Sequence, residues 1–137
     1  MEPVRLLLDE RAVRHVMVRY ARGIDARDWV EVRDCFDPAA VVTGTGHSGV
    51  RDDYLDRLFA GVARFGVTMH TIGNQVVEID GDTARTETDL VARHFLGPEG
   101  KEEALVLGVR YLDRLRRDGS GAWVITQRDV VRIWSRP

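Results

Sequence analysis

Four long segments with two-residue periodicity occupy the second half of the chain, and they constrain the fold more than any other feature. Residues 67–80 end at Asp80-Gly81-Asp82, a strong hairpin turn signal. In residues 83–96 the side chains Ala84, Thr86, Thr88, Leu90, Ala92 and His94 share one face, and Arg85, Glu87, Asp89 and Arg93 the other. A third strand is predicted over about 104–116, after the loop GPEGKEE. Arg117-Asp118-Gly119-Ser120-Gly121 then turns the chain into a fourth, over 122–134.

The first half reads as helices. Val13, Val16, Met17, Tyr20, Ala21 and Ile24 recur at helical spacing, which predicts an amphipathic helix over about 9–24 with Tyr20 on its buried stripe. Gly23 weakens the end of that helix and lets the backbone turn. A second helix starts with Asp28 as N-cap, and Glu31 three residues later resembles a capping box. Trp29, Val32 and Cys35-Phe36 supply its apolar side, and Asp37-Pro38 breaks it. Residues 40–43 read as a short strand, and GTGHSG as a glycine-rich loop without the spacing or the lysine of a phosphate-binding loop. A third helix is predicted over about 52–65, with Tyr54, Leu55, Leu58, Phe59, Val62 and Phe65 on its apolar face. Helices followed by hairpin-linked strands imply one α+β domain with an antiparallel sheet. Such long strands suggest a sheet that curls around the helices and leaves a pocket at one end.

Composition narrows the function classes. With 44% hydrophobic and 31% charged residues, the 137-residue chain is an ordinary globular domain. Its formal net charge of −2 offers no basic field for nucleic acid. No segment approaches a membrane span and no signal peptide is evident, so the expectation is a cytoplasmic protein. The lone Cys35 fits a reducing compartment.

Asp28 already accounts for the helix cap, which leaves Asp25 without a structural task. An acid of this kind, placed beside a histidine such as His70, suits general acid–base chemistry: the imidazole titrates near neutrality and a carboxylate fixes its tautomer. The bland alternatives are a buried, hydrogen-bonded core histidine at 70 and a helix-end acid at 25. His94 either lines a cavity or packs in the core. Arg132 either meets an anionic group or, like Arg128 on the same strand face, pairs with an acid. Tyr20 is either a hydrogen-bond donor or core packing. On an ideal helix Tyr20 and Asp25 lie ~140° apart, so they share a pocket only if the chain leaves the helix near Gly23. His15 and His47 are expected to be exposed. No histidine spacing typical of a metal site, no nucleophile elbow and no dinucleotide fingerprint is present, so no metal is expected.

The motifs RYARGIDARDW, TMHTIGNQVVEIDGDTA and RYLDRLRRDGSGAWVI, in this order of elements, resemble the SnoaL-like branch of the nuclear transport factor 2-like superfamily. Nearest in motif are scytalone dehydratase, bile-acid 7α-dehydratase and lindane dehydrochlorinase. The resemblance spans about residues 9–134. It implies a cone-shaped α+β barrel in which three N-terminal helices pack on a strongly curved antiparallel sheet around an apolar pocket. It also implies a homodimer, no cofactor, and a small hydrophobic molecule as ligand. Asp25 falls where these eliminating enzymes keep the aspartate that pairs with a catalytic histidine, and His70 where they keep that histidine. Tyr20 matches the tyrosine of the bile-acid dehydratase pattern and Arg132 its arginine near the end of the last strand. His94 falls at the second histidine of scytalone dehydratase. Trp29 and Tyr111, within the quoted motifs, complete the expected substrate-binding set. Ile24 and Gly44 replace two tyrosines of scytalone dehydratase, and Tyr20 stands where the dehydrochlorinase has lysine. The implied activity is a lyase or isomerase of the dehydratase type acting on a steroid, terpenoid or polyketide. Polyketide cyclisation, a double-bond shift, or a non-catalytic binding or assembly role are the alternatives.

Overall fold

A computed structural model describes residues 2–44 and 46–137, with only the backbone of His47 included. The expectation for the His47 side chain therefore lies outside the described residues, whereas His15 is exposed as expected. The elements run α1 (Pro3–Ala26), α2 (Trp29–Asp34), β1 (Phe36–Gly44), β2 (His47–Val50), α3 (Arg51–Val62), β3 (Val67–Asp80), β4 (Thr83–Leu96), β5 (Glu102–Arg117) and β6 (Trp123–Arg136).

The six strands form one sheet in the order β2-β1-β6-β5-β4-β3. The long hairpins β3–β4, β4–β5 and β5–β6 are antiparallel, as their turn signals require. The sheet as a whole is mixed, however, because β1 runs parallel to β6. That corrects the all-antiparallel expectation, and the sheet remains open between its edge strands β2 and β3. Register shifts between Ile72 and Gln75, between His94 and Phe95, and between Gly108 and Val109 bend three neighbouring strands. Bulges of this kind increase local twist, and here they help wrap the sheet around the helices.

Two departures have local causes. The glycine-rich stretch contains β2, four residues long, which pairs with β1 and is too short to show periodicity. Pro38 is tolerated inside β1 because it lies where the β1–β6 register shifts, between Phe36 and Val41.

α1 begins six residues earlier than its apolar stripe suggests. Pro3 opens it, and the Glu2 carboxylate caps it by accepting from the amides of Val4 and Arg5. Its stripe of Val13, Val16, Met17, Tyr20 and Ile24 is buried against the sheet. Both ends are tied down by acids. Asp9 accepts from Arg117 Nη2 at 2.5 Å, and Asp25 bonds to β3. The chain does not leave the helix at Gly23, the condition for Tyr20 and Asp25 to share a pocket, and α1 continues through Ala26. Gly23 serves close approach instead: a Cβ there would lie 2.8 Å from Val32 Cγ2 on α2. The capping prediction for α2 is met, with Asp28 Oδ1 accepting from the Glu31 amide at 3.1 Å.

Candidate active site

The last turn of α1 lies against the outer edge of the sheet at β3, and there Asp25 finds its partners. A strand at a sheet edge has backbone N–H groups with no neighbouring strand. Asp25 Oδ2 accepts the amide of His70 at 2.8 Å, closing one such gap. Asp25 Oδ1 lies 2.7 Å from His70 Nδ1 and 3.0 Å from the hydroxyl of Thr68. One carboxylate thus holds the backbone and the ring of the same histidine.

The bonding fixes the protonation pattern. Burial is the largest influence on Asp25 and pushes its pKa upward, but the His70 side-chain and backbone bonds, with the Thr68 hydroxyl, together outweigh it and hold the carboxyl below its usual value. An ionised carboxylate only accepts hydrogen bonds, so Nδ1 of His70 carries its proton toward Asp25. In the neutral ring Nε2 is then unprotonated, and it bonds to none of the described residues. The His70 side chain is 7% exposed and that of Asp25 25%.

His94 is the second histidine of this region. Thr68 and His94 are register partners on β3 and β4, so both lie on the concave face one step from His70 and Ala92. The His94 ring centroid is 6.2 Å from that of His70 and 4.9 Å from that of Phe65. Its Nδ1 lies 3.2 Å from the carbonyl oxygen of Leu105, which can only accept, so Nδ1 carries the proton and Nε2 is an acceptor. Burial above all, with the nearby charge of His70, holds its pKa below the usual histidine value. His94 lines a cavity of about 210 Å³ with Tyr54, Leu58, Val62, Phe65 and Leu105 and the cationic Arg57 and Arg64. Asp25 and His70 are adjacent to this cavity through His94 rather than on its wall.

The remaining candidates are placed differently. Because α1 does not unwind, the Tyr20 hydroxyl does not reach the Asp25–His70 pair; its partner is the hydroxyl of Tyr111, 3.5 Å away. Both tyrosines are buried against Arg128, whose guanidinium lies 4.4 Å from the Tyr20 ring and 3.9 Å from the Tyr111 ring. Burial raises the pKa of both phenols, that of Tyr20 strongly. They form the interior of the cone, where Tyr20 packs on Phe36, Tyr111 and Arg128 rather than bonding to Asp25 or His70. Trp29 stacks on Phe59 at 4.2 Å and joins α2 to α3. Arg132 is exposed; as the register partner of Val109 it shares that residue's face of the sheet, and it does not line the His94 cavity. Arg128, which the sequence reading left as an acid-pairing alternative, is the buried arginine.

Two participants went unrecognised. Thr68 could have been found from its place two residues before His70 on the same strand face. Arg27 could not: it is the one non-glycine described residue with positive φ, at 59°, a conformation that sequence associates with glycine or asparagine. Among the described residues, no group of three or more His, Cys, Asp or Glu is arranged to hold a metal ion. Among the described residues, no helix is long and apolar enough to cross a membrane. Cys35 is fully buried and its thiol is raised to about 11 by burial, the state of an inert core cysteine.

A profile of the SnoaL-like domain matches residues 5–129. The chain belongs to the SnoaL-like domain family. An uncharacterised protein of Mycobacterium tuberculosis strain H37Rv is 24% identical over 99% of this SnoaL-like chain and 93% of its own length. A scytalone dehydratase candidate from Novosphingobium aromaticivorans superposes with a TM-score of 0.86 at 19% identity, over 98% of this chain and 91% of that one. The hexachlorocyclohexane dehydrochlorinase LinA-type3 from Novosphingobium barchaimii gives a TM-score of 0.81 at 16% identity, over 99% and 94% of the two chains. At these identities the likeness shows a shared fold, the nuclear transport factor 2-like cone.

Proposed function

We propose that this SnoaL-like protein is a cofactor-independent lyase of the dehydratase type in which His70 takes a proton from carbon and Asp25 orients it. The observation that carries this reading is the 2.7 Å contact between His70 Nδ1 and Asp25 Oδ1, which leaves Nε2 as the basic nitrogen. The C–H electron pair would form the new double bond as the neighbouring C–O bond breaks. The proton held on Nε2 would then pass to the departing oxygen, releasing water. Asp25 would stabilise the transient imidazolium, and the acceptor nitrogen of His94 would receive a substrate hydroxyl. The exposed Arg132 could meet an anionic substituent.

The cavity volume bears on the substrate. Sites for drug-sized ligands occupy roughly 300–1,000 Å³, and 210 Å³ lined by apolar side chains together with Arg57, Arg64 and His94 suits one or two small rings rather than four. Of the steroid, terpenoid and polyketide classes, this favours the smaller terpenoids and polyketides. The test is a panel of hydroxylated cyclic ketones, with conjugated-ketone absorbance and loss of water followed for wild type and His70→Ala. Equal turnover by the two proteins removes His70 from the chemistry.

The same pair would serve a double-bond shift or a cyclisation, distinguished by products of unchanged mass. A non-catalytic binding role is favoured by one observation: the cavity wall carries His94 rather than His70. Saturable binding without turnover across the panel would decide for it.

A further inference from the structure

We propose that Arg27 and Thr68 are positioning residues that set the tautomer of His70 by holding the Asp25 carboxylate, through a directed pair of hydrogen bonds, as an acceptor aimed at Nδ1. The pair starts at a group that can only donate. Arg27 Nη1 lies 2.8 Å from Thr68 Oγ1, so the threonine hydroxyl accepts at that contact. A hydroxyl has one proton of its own, and the other neighbour of Thr68 Oγ1 is Asp25 Oδ1 at 3.0 Å. That proton therefore points to Asp25. The carboxylate receives it, together with the His70 amide on Oδ2, and presents only lone pairs to the imidazole. Nδ1 of His70 must then carry a proton, and Nε2 is left basic. The links converge on the carboxylate: the guanidinium donates to the hydroxyl, the hydroxyl donates to Asp25 from one side, and the ring donates to Asp25 from the other.

The geometry also explains why the first link stays in place. Arg27 is the C-cap of α1, and its left-handed backbone turns the side chain back over the helix end. There its guanidinium donates to the carbonyls of Ile24 and Phe65, each at 2.9 Å. Three acceptors from α1, β3 and the loop ahead of β3 thus hold one arginine. Its charge also disfavours protonation of His94. Without the arginine, the Thr68 hydroxyl is free to rotate, and Asp25 loses a directed donor.

This inference rests on the reading of His70 as the base, but its test needs no substrate. Long-range 1H–15N correlation spectra of protein labelled at histidine report which ring nitrogen of His70 carries the proton. In wild type at pH above the histidine range, Nδ1 is expected protonated and Nε2 bare. Thr68→Val keeps the shape but removes the hydroxyl, and Arg27→Met keeps the length but removes the donors. Both are expected to show a mixture of tautomers, Thr68→Ser to restore the wild-type pattern, and kcat on any substrate found to fall about tenfold in the first two with little change in KM. A protonated Nε2 in neutral wild type overturns the inference. So does an unchanged tautomer in either folded variant, as judged by near-ultraviolet circular dichroism. If Thr68→Val does not fold, Arg27→Met, which alters a partly exposed helix end, decides alone. Loss of the catalytic reading has a different signature: undiminished turnover by His70→Ala while the tautomer dependence stands.

Discussion

Arg128 donates two hydrogen bonds of 2.8 Å to the two carboxylate oxygens of Asp113, with both side chains 1% exposed. Burial works against the charge on Arg128, but the Asp113 carboxylate outweighs it and raises the arginine pKa. The Tyr20, Tyr111 and Phe36 rings face the guanidinium. One nitrogen, Nη1, has no partner among the described residues, so the pair depends on those rings and on its own geometry. Removing one partner of a buried pair leaves an uncompensated charge, at about 3–5 kcal/mol. Asp113→Ala is therefore expected to cost that much in urea unfolding. Replacing both residues with apolar ones of similar volume should recover most of it.

For catalysis, His70→Ala and Asp25→Asn should each lower kcat by about 10²- to 10⁴-fold, the usual contribution of a positioned base. Stability should respond differently in the two. Asp25→Asn removes an acceptor that joins α1 to β3 and should shift the unfolding midpoint, whereas His70→Ala should shift it less. Steady-state kinetics alongside thermal unfolding separates the effects.

The pH dependence of stability has a definite sign. Asp25 has a folded-state pKa below its unfolded value of ~3.9, so its stabilising effect is complete above that value and is lost as pH falls through the folded one. His94 is also depressed, below ~6.5; the unfolded chain takes up that proton first, and stability declines as pH drops from 6.5 toward the folded value. His94→Phe should flatten the limb below pH 6.5, and Asp25→Asn the more acid limb. Urea unfolding at half-unit pH steps would show both. An unchanged slope in His94→Phe would mean that burial of the neutral ring is not the source.

Gly23→Ala sets two effects against each other. Alanine in a helix interior is favoured over glycine by about 1 kcal/mol. The new Cβ would meet Val32 Cγ2 at 2.8 Å, and Val32 is fully buried. Overpacking a core contact costs about 1–3 kcal/mol, so net destabilisation near 1 kcal/mol is expected in chemical denaturation.

The strands and hairpins of the second half were readable because each strand is fourteen residues or longer, is bounded by turn signals, and in β4 alternates along nearly its whole length. Asp25 and His70 were readable as a pair only through the motifs around them. Pairing of β1 with β6 was not, since parallel contacts between distant segments carry no local signal. Arg132 and Arg128 show another limit: they have the same parity on β6, but Arg128 pairs with Asp113 in the core, while Arg132 lies beyond it and is exposed. Tyr20 was singled out by its match to a family motif, while its helix position placed it on the buried stripe, and there it lies.

The Asp25 carboxylate is bound to the sheet edge through the His70 backbone as well as its ring, so the proposed proton-transfer pair is part of the framework. The cavity wall is contributed mainly by α3 and the residues just after it, which bear neither member of the pair. In the proposed function, recognition and reactivity therefore sit on separate pieces of chain. Exchanging Leu58 or Leu105 for larger or smaller side chains should retune which molecules enter while the acid–base machinery stays intact, a division of labour that makes the scaffold easy to redirect.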